Sequence, residues 1–337
     1  MIETRDLVKD FPTGRRTVHA VRGISLRIDP GELVAVLGPN GAGKTTTMRM
    51  LTTLIAPTSG GATVAGCDVV ADPAGVRRRI GYVGQGNGAG HNQRARDELD
   101  TQGRIYGLSR REARRRSGEL LAAFDLAEPA DRKVSALSGG QRRRLDVAIG
   151  LVHAPSLLFL DEPSTGLDPQ NRANLWDHIA RMRAEHGMTI VLTTHYMDEA
   201  DTMAERVVVV DRGQVIADDT ADALKAKLAG DRIEVTAADP AALARLVANL
   251  PGARDVTVTG ERVHARVADG PSALPELLRA AGELRVATAQ VHRPTLDDVF
   301  LTLTGRSLRE ADVSEPGSVS GSGSEHVSGS GTQEATR

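Results

Sequence analysis

The chain has 337 residues, a formal net charge of -2 and 26% charged side chains, which suits about two domains with a sizeable buried core. This balance excludes a protein that binds nucleic acid through an overall excess of basic residues, and with only 2% aromatic residues few bases could stack on side chains. The single cysteine, Cys67, excludes an intrachain disulfide and fits a reducing compartment.

The hydropathy profile predicts neither a membrane span nor a secretory leader. No window approaches the roughly 18 consecutive apolar residues that a spanning helix needs. The first residues, M-I-E-T-R-D, lack the apolar stretch of a signal peptide. We therefore expect the chain to be neither secreted nor inserted in a membrane.

The first part of the chain predicts strands around a phosphate-binding loop. Residues 1–30 alternate between polar and apolar side chains, the pattern of half-buried antiparallel strands. Residues 32–37 form an apolar run typical of a buried strand, and residues 44–54 predict a helix. Between them, residues 38–45 read G-P-N-G-A-G-K-T, which fills every fixed position of a phosphate loop.

Such a loop binds a nucleoside triphosphate for simple physical reasons. Its glycines let consecutive N–H groups turn towards the phosphates, and the next helix directs its N-terminus at the anion. Lys44 supplies a positive charge to the β- and γ-phosphates, and the Thr45 hydroxyl is a ligand for Mg²⁺. A chance glycine-rich turn is the alternative, which the strand–loop–helix context disfavours. The candidate nucleotide contacts are Gly38, Pro39, Asn40, Gly41, Ala42, Gly43, Lys44, Thr45 and Thr46.

The middle of the chain predicts a doubly wound α/β core with a helical insertion. Apolar runs at residues 157–160, 189–192 and 206–210 are separated by segments of helix length, which favours parallel strands. The periodicity is helical after residue 86, so we expect a helical subdomain at about 86–150. Its arginine cluster at 110–116 is interpreted as a solvated helix face.

The last part of the chain predicts a second domain and a tail. Residues 231–305 show the order βαββαβ of a ferredoxin-like fold, whereas 306–337 are rich in Gly and Ser and predict a disordered tail. The strands are expected at 232–236, 255–258, 263–267 and 284–291, and the helices at 240–250 and 272–281.

Further motifs narrow the family. Residues 137–141 read L-S-G-G-Q, residues 157–163 read L-L-F-L-D-E-P, and residues 164–168 read S-T-G-L-D. With Gln85 before them and His195 after them, these segments stand in the order and spacing of the ATP-binding-cassette ATPases, which residues 1–230 closely resemble. The fold class implied is a P-loop α/β domain with an antiparallel β subdomain and a helical insertion, beside the small α+β domain.

The resemblance assigns a role to each matched residue. Asp161 follows a buried strand and suits Mg²⁺, with Thr45 and Gln85 as the other metal ligands. Glu162 is the expected general base, and Lys44, His195 and Gln85 complete the catalytic group. The remaining nucleotide contacts implied are Phe11, Ser138, Gly139, Gly140, Gln141 and Asp168.

Two of these assignments have plain alternatives, and one implies a dimer. Phe11 is either an adenine-stacking aromatic or a core residue, and His195 is either catalytic or a histidine at a strand end. In the family, the loop that begins at Ser138 contacts ATP on another subunit. One copy per chain therefore implies a homodimer with ATP at the interface.

Within the family, the chain looks like the ATPase subunits of daunorubicin-resistance exporters. Residues 145–151 and 292–300 carry this resemblance. It implies an ATPase at the cytoplasmic face of the cell membrane that drives export of a drug-like compound through a separate multi-span subunit, without nucleic acid. Residues 86–96 depart from the family, because they are polar and Gly-rich where an apolar stretch usually helps to receive that subunit.

The phosphate loop is also compatible with two other functions. A soluble cassette ATPase acting on ribosomes or DNA commonly has two cassettes or a long charged arm, whereas this chain has one cassette and a short insertion. A regulatory protein that binds ATP without hydrolysis would lack Glu162 or His195, and both are present.

Overall fold

The structure is a computed structural model that describes residues 1–86, 88–282 and 284–306. The predicted tail, residues 306–337, lies outside the described residues except for Arg306. The strands are β1 (Ile2–Thr13), β2 (Arg16–Ile28), β3 (Leu33–Leu37), β4 (Ser59–Val64), β5 (Cys67–Asp68), β6 (Ile80–Val83), β7 (Leu157–Asp161), β8 (Thr189–Thr194), β9 (Arg206–Asp211), β10 (Gln214–Asp219), β11 (Asp231–Ala237), β12 (Arg254–Thr259), β13 (Arg262–Val267) and β14 (Val286–His292). The helices are α1 (Lys44–Leu51), α2 (Pro73–Arg79), α3 (Ala95–Ile105), α4 (Arg110–Ala123), α5 (Gly139–Gly150), α6 (Pro169–His186), α7 (Met197–Met203), α8 (Ala221–Leu224), α9 (Pro240–Ala248), α10 (Gly270–Ala281) and α11 (Leu296–Thr304).

The central sheet has the order β10-β9-β3-β8-β7-β6, and only β10 runs antiparallel to its neighbour. Every residue of β3, β7 and β8 is buried, because both faces of this sheet are covered. One face packs against the antiparallel sheet β2-β1-β4-β5 and α1, and the other supports the helices. The phosphate loop therefore leaves a strand that is fixed on both sides.

The helical insertion consists of α3, α4 and the beginning of α5. Ser109 and Glu112 form a capping box that starts α4, and Ser138 and Gln141 form another that starts α5. The arginines of α4 are mostly exposed, as the solvated-face interpretation predicts. The insertion thus presents the N-terminus of α5 next to the central sheet.

The C-terminal domain has the order β12-β13-β11-β14 with every pair antiparallel. Helices α9 and α10 pack on one face of this sheet around a core of their own. The fold class predicted from the sequence is confirmed, including the ferredoxin-like order of elements.

Some elements differ from the predictions. α1 ends at Leu51 rather than at residue 54, because Thr53 takes the left-handed backbone conformation with φ +62°. Strands β4, β5 and β10 were not predicted, since they are short and half exposed. α11 was not predicted either: its Leu296, Val299 and Phe300 are buried in the larger core of the nucleotide-binding part rather than in the C-terminal core.

Candidate functional site

The loop between β3 and α1 lines a cavity of about 640 Å³. Gly43, at its end, has φ +100°, and a Cβ there would lie 2.4 Å from the carbonyl oxygen of Ala20. Only glycine fits both the conformation and the approach of β2. The loop residues on the wall are Pro39, Asn40, Gly41, Ala42, Gly43, Lys44, Thr45 and Thr46.

Lys44 lies almost fully buried at the base of the cavity, 4% exposed. Its Nζ donates to the carbonyl oxygens of Gly38 and Pro39 at 2.5 and 3.0 Å and lies 3.6 Å from Oε1 of Glu162. A buried ammonium needs such partners, because burial of an unpaired charge is costly. Lys44 and Glu162, both predicted as catalytic residues, therefore lie close together at this cavity.

Oxygen atoms converge beside the loop. The Thr45 hydroxyl donates to Oδ1 of Asp161 at 3.0 Å, and the Thr193 hydroxyl donates to the same oxygen at 2.6 Å. Gln85 donates from its amide to the Thr45 oxygen at 3.1 Å. The three predicted metal ligands are thus joined in one hydrogen-bond network, in which Thr45 and Asp161 contribute oxygen atoms of the kind that Mg²⁺ prefers and Gln85 contributes its amide N–H group.

Glu162 follows β7 with a left-handed backbone, φ +48°, which is unusual for a residue with a side chain. Its N–H is held by the carbonyl and the hydroxyl oxygen of Thr193, both at 3.1 Å. Oε2 lies 3.3 Å from Nδ1 of His195 and accepts from Thr165 at 3.3 Å. Strained backbone of this kind is often found at functional sites, where the surroundings fix it.

The charges around Glu162 keep it ionised. Burial raises the pKa of this carboxyl, but pairing with His195, the charge of Lys44 and the Thr165 hydrogen bond together hold the pKa below its ordinary value. His195 is therefore a partner of the predicted base and packs against the Tyr196 ring at 4.2 Å, rather than being a buried core histidine.

The signature residues lie apart from the cavity. Among the residues that the structure describes, none of Ser138, Gly139, Gly140 or Gln141 lines it. Ser138 caps α5 by accepting from the Gln141 N–H at 3.2 Å. Asp168 caps α6 and accepts from the Asn171 N–H at 2.8 Å. The signature residues and Asp168 therefore lie at the N-termini of α5 and α6, where the first backbone N–H groups have no partner within the helix.

Helix α5 is hydrogen-bonded to the segments that carry the predicted catalytic residues Gln85 and Glu162. Arg143, 7% exposed, donates to the carbonyls of Gly84 and Pro163 at 2.8 and 2.6 Å. Asp146, 4% exposed, accepts from the N–H groups of Gly88 and Ala89 at 3.0 and 3.1 Å. The segment that contains Gln85 is therefore hydrogen-bonded to α5 both before and after this glutamine. The sequence did not indicate these contacts, because no local pattern marks Arg143 or Asp146 as having such distant partners.

The cavity has further walls that the sequence did not indicate. His19 and Arg22 of β2 and Arg212 of the β9–β10 turn line it. Phe11 does not line it: the ring is 37% exposed, with Nζ of Lys9 5.2 Å from its centre, so the core alternative is wrong. Val18, the strand partner of Phe11, lines the cavity instead, and adenine contact by Phe11 stays a prediction.

Comparison with known proteins identifies the family. The ABC transporter family matches residues 21–165, and the C-terminal domain of DrrA1-3-like ATP-binding proteins matches residues 220–304. The chain is 45% identical over 303 residues to the daunorubicin resistance ATP-binding protein DrrA2 of Streptomyces coeruleorubidus, covering 88% of this chain and 94% of the relative. This chain belongs to the DrrA-type ABC transporter ATP-binding proteins.

Other relatives agree with this membership. The DrrA-type chain is 41% identical to the daunorubicin/doxorubicin resistance protein DrrA of Streptomyces peucetius, with 93% of this chain and 95% of the relative covered. A solved dimeric cassette, MJ0796 bound to ADP and Pi, matches with a TM-score of 0.61 and 26% identity over 65% of this chain and 98% of that one.

The family membership establishes the activity class. The DrrA-type chain is the ATP-hydrolysing subunit of an ABC exporter, and an ATPase acting on ribosomes or DNA is not favoured. Cassettes of this family bind ATP, dimerise and work with membrane permeases. In the described part of the chain, no helix is long and apolar enough to cross a membrane.

Proposed function

We propose that this ATPase hydrolyses MgATP at two composite sites of a homodimer and thereby drives a separate multi-span membrane subunit that exports a drug-like compound. The dimer would lie at the cytoplasmic face of the cell membrane. The observation that carries the proposal is the convergence of Lys44, the Asp161 oxygen network and the Glu162–His195 pair on one cavity.

The residues around the phosphate loop divide the chemistry. Thr45, Asp161 and Gln85 would hold Mg²⁺, which neutralises phosphate charge when bound. Lys44 exchanges the carbonyls of Gly38 and Pro39 for phosphate oxygens, since all of these compete for the same three N–H donors. Movement of the Lys44 ammonium towards the phosphates weakens its electrostatic interaction with Glu162.

Glu162 and His195 act on the attacking water. Glu162 is ionised, so it accepts a proton from water placed in line with the γ-phosphate. Its pKa rises towards that of a better base when Lys44 turns to the phosphates, because the charge of Lys44 is one of the causes of the lowered value. His195, held beside it, is suited to stabilise the charge that develops on the γ-phosphate.

The second half of each site comes from the other subunit in this proposal. Ser138, Gly139, Gly140 and Gln141 start α5 outside their own cavity, and an anion is favoured at a helix N-terminus. A relative in the same fold class is described as a dimeric cassette. ATP bound by one phosphate loop would then join the two subunits until its γ-phosphate is cleaved.

The substrate class is proposed from the relatives. Their names refer to daunorubicin and doxorubicin resistance, and the chain spans nearly their whole length. A planar, cationic or similarly amphipathic drug is therefore the first class to test, with the drug site in the membrane subunit.

The test is reconstitution of the chain with its membrane subunit in lipid vesicles. We expect MgATP-dependent accumulation of daunorubicin, and drug-stimulated ATP hydrolysis, in the wild-type complex. Lys44→Ala should abolish both, whereas the exposed Lys227→Ala serves as a matched control that keeps them. Drug accumulation that persists with Lys44→Ala would contradict the proposal.

A further inference from the structure

Glu199 carries a buried carboxyl group that has no part in the chemistry described above. It lies in the first turn of α7, four residues after His195, and is only 3% exposed. Burial of a carboxylate costs free energy unless hydrogen bonds and opposite charge compensate it. A well-packed apolar residue of similar volume often gives equal or greater stability at such a position. Stability alone therefore does not account for a carboxyl group here.

The two oxygen atoms of Glu199 accept hydrogen bonds from two different segments. The hydroxyl of Ser164, two residues after Glu162, donates to Oε1. The hydroxyl of Thr194, directly before His195, donates to Oε2 at 2.9 Å. Both hydroxyl-bearing residues are buried, so bulk water does not compete for these bonds. One carboxyl group therefore joins the segment after β7 to the end of β8.

This link lies where the central sheet ceases to fix the two segments. The pairing of β7 with β8 ends at Asp161 and Thr193. Glu162 and His195 follow these positions in the chain, and Oε2 of Glu162 lies 3.3 Å from Nδ1 of His195. Beyond paired strands, the ladder of backbone hydrogen bonds no longer sets the spacing of the chain segments. The contacts of Glu199 hold that spacing just past the strand ends.

A second route leads from Glu199 to the ring of His195. Nε of Arg172 in α6 lies 3.8 Å from Oε1 of Glu199, and the same guanidinium lies 4.3 Å from the centre of the Tyr196 ring. The Tyr196 ring in turn packs on His195, with 4.2 Å between the ring centres. The N–H of Tyr196 donates to the Thr194 hydroxyl at 2.9 Å. Groups that contact Glu199 therefore support both the backbone and the ring of His195.

We infer that Glu199 is a positioning residue for ATP hydrolysis, which holds His195 and Glu162 in the mutual geometry that the reaction needs. This inference rests on the roles proposed above for Glu162 and His195. In the described part of the chain, the walls of the nucleotide cavity do not include Glu199, so it acts through these neighbours. Displacement of a reacting group by about 1 Å can lower a rate about 10²-fold. Loss of Glu199 should therefore affect kcat far more than nucleotide binding.

The test compares substitutions in the complex of the full chain with its membrane subunit. Glu199→Leu keeps roughly the volume of the side chain and removes both acceptors, so we expect kcat to fall about 10²-fold while the Kd for MgATP changes less than about twofold. Glu199→Gln keeps the shape, and the two hydroxyl groups can turn to suit the amide, so kcat should stay within about fivefold of wild type. Asp198→Asn is the matched control, because this exposed carboxylate precedes Glu199 in α7, and it should keep the wild-type rate.

Thr194→Val tests the same link from its other end and replaces Glu199→Leu if that variant does not fold. Valine has nearly the volume of threonine but no hydroxyl group, so the hydrogen bond to Oε2 is lost. We expect kcat to fall at least about tenfold, again with little change in the Kd for MgATP. Circular dichroism and melting curves give the folded fraction of each variant, to which the rates are normalised.

A double-mutant cycle with His195→Ala distinguishes positioning from a general loss of stability. If Glu199 acts through His195, Glu199→Leu should lower the single-turnover rate by less than about threefold in the His195→Ala background. An equal fold loss in both backgrounds would overturn the inference, as would folded Glu199→Leu and Thr194→Val variants that hydrolyse ATP at the wild-type rate.

Glu162→Gln and His195→Ala, measured beside these variants, keep the two proposals apart. If both of them keep the wild-type rate, the proposed catalytic roles are wrong and the inference falls with them. If both lose activity while Glu199→Leu keeps it, only the positioning role of Glu199 is contradicted.

Discussion

Glu162 combines a strained backbone, burial and close contacts with Lys44 and His195, so its carboxylate is the group most specifically prepared in the nucleotide cavity. Replacing it by glutamine keeps the shape and removes the capacity to accept a proton. We expect Glu162→Gln to lower kcat by about 10² to 10⁴ while ATP affinity is kept or increased. Steady-state hydrolysis and nucleotide titration measure this, with exposed Glu185→Gln as control. A wild-type rate in Glu162→Gln would remove this residue from the role of base.

Asp146 offers a pH-dependent prediction at the same scale. Burial raises the pKa of its carboxyl above the ordinary value near 3.8, although two N–H groups and Arg143 favour the charged form. Between the unfolded and the native pKa, the native state holds a proton that the unfolded chain has released. The contribution of Asp146 to the free energy of unfolding is therefore fully present below the unfolded pKa and is lost as the pH rises through the native pKa. Asp146→Asn does not titrate and should gain stability relative to wild type as the pH rises above about 3.8.

Urea unfolding at a series of pH values measures this difference. The exposed Asp177→Asn controls for the loss of one carboxylate. A stability difference between wild type and Asp146→Asn that stays constant with pH would contradict the raised pKa.

At the scale of elements, substitutions of the two glycines at the start of α5 distinguish a role in packing from a role in nucleotide contact. A Cβ on Gly140 would lie 2.2 Å from Oδ1 of Asn171 in α6, whereas a Cβ on Gly139 would meet no atom within 4 Å. We expect Gly140→Ala to destabilise the fold. Gly139→Ala should be neutral or stabilising by about 0.5 kcal/mol, because alanine favours a helix.

The ATPase rate then tells whether this loop faces a nucleotide. If α5 presents Gly139 to the phosphate held by another subunit, Gly139→Ala should lose hydrolysis while its melting temperature is unchanged or higher. Melting curves and steady-state rates of both variants provide the comparison. A fully active Gly139→Ala enzyme would count against the contact.

The sequence predicted the elements whose information is local. The phosphate loop, the helices α9 and α10 and the strands β3, β7 and β8 each carry their pattern within about ten residues. Other features depend on partners far away in the chain. Arg212 reaches the cavity through the pairing of β9 and β10, and Arg143 of α5 reaches the carbonyl of Pro163 just after β7. No period or motif marks such contacts, so the sequence could not predict them.

At the scale of the whole molecule, α11 links the two parts of the chain. The C-terminal sheet has its own core, yet Phe300 of α11 is fully buried in the core of the nucleotide-binding part. Arg306 adds a 2.9 Å contact to Asp211, next to the cavity wall at Arg212. The domain boundaries at 230 and 305 stay a prediction, because α11 lies inside the predicted accessory domain in sequence but packs with the cassette.

The homodimer makes the most demanding prediction. A Lys44→Ala subunit still offers an intact α5 start, and a Ser138→Arg subunit still offers an intact phosphate loop. Mixing the two inactive variants in equal amounts should give half heterodimers, each with one complete site, and so restore about a quarter of the wild-type rate if the sites act independently. The measurement is ATP hydrolysis by the complex with the membrane subunit, with each variant alone as control and differently tagged subunits to prove that mixed dimers form. Mixed dimers without activity would contradict an ATP site formed by two subunits. They would also contradict the nucleotide contacts proposed for Ser138, Gly139, Gly140 and Gln141.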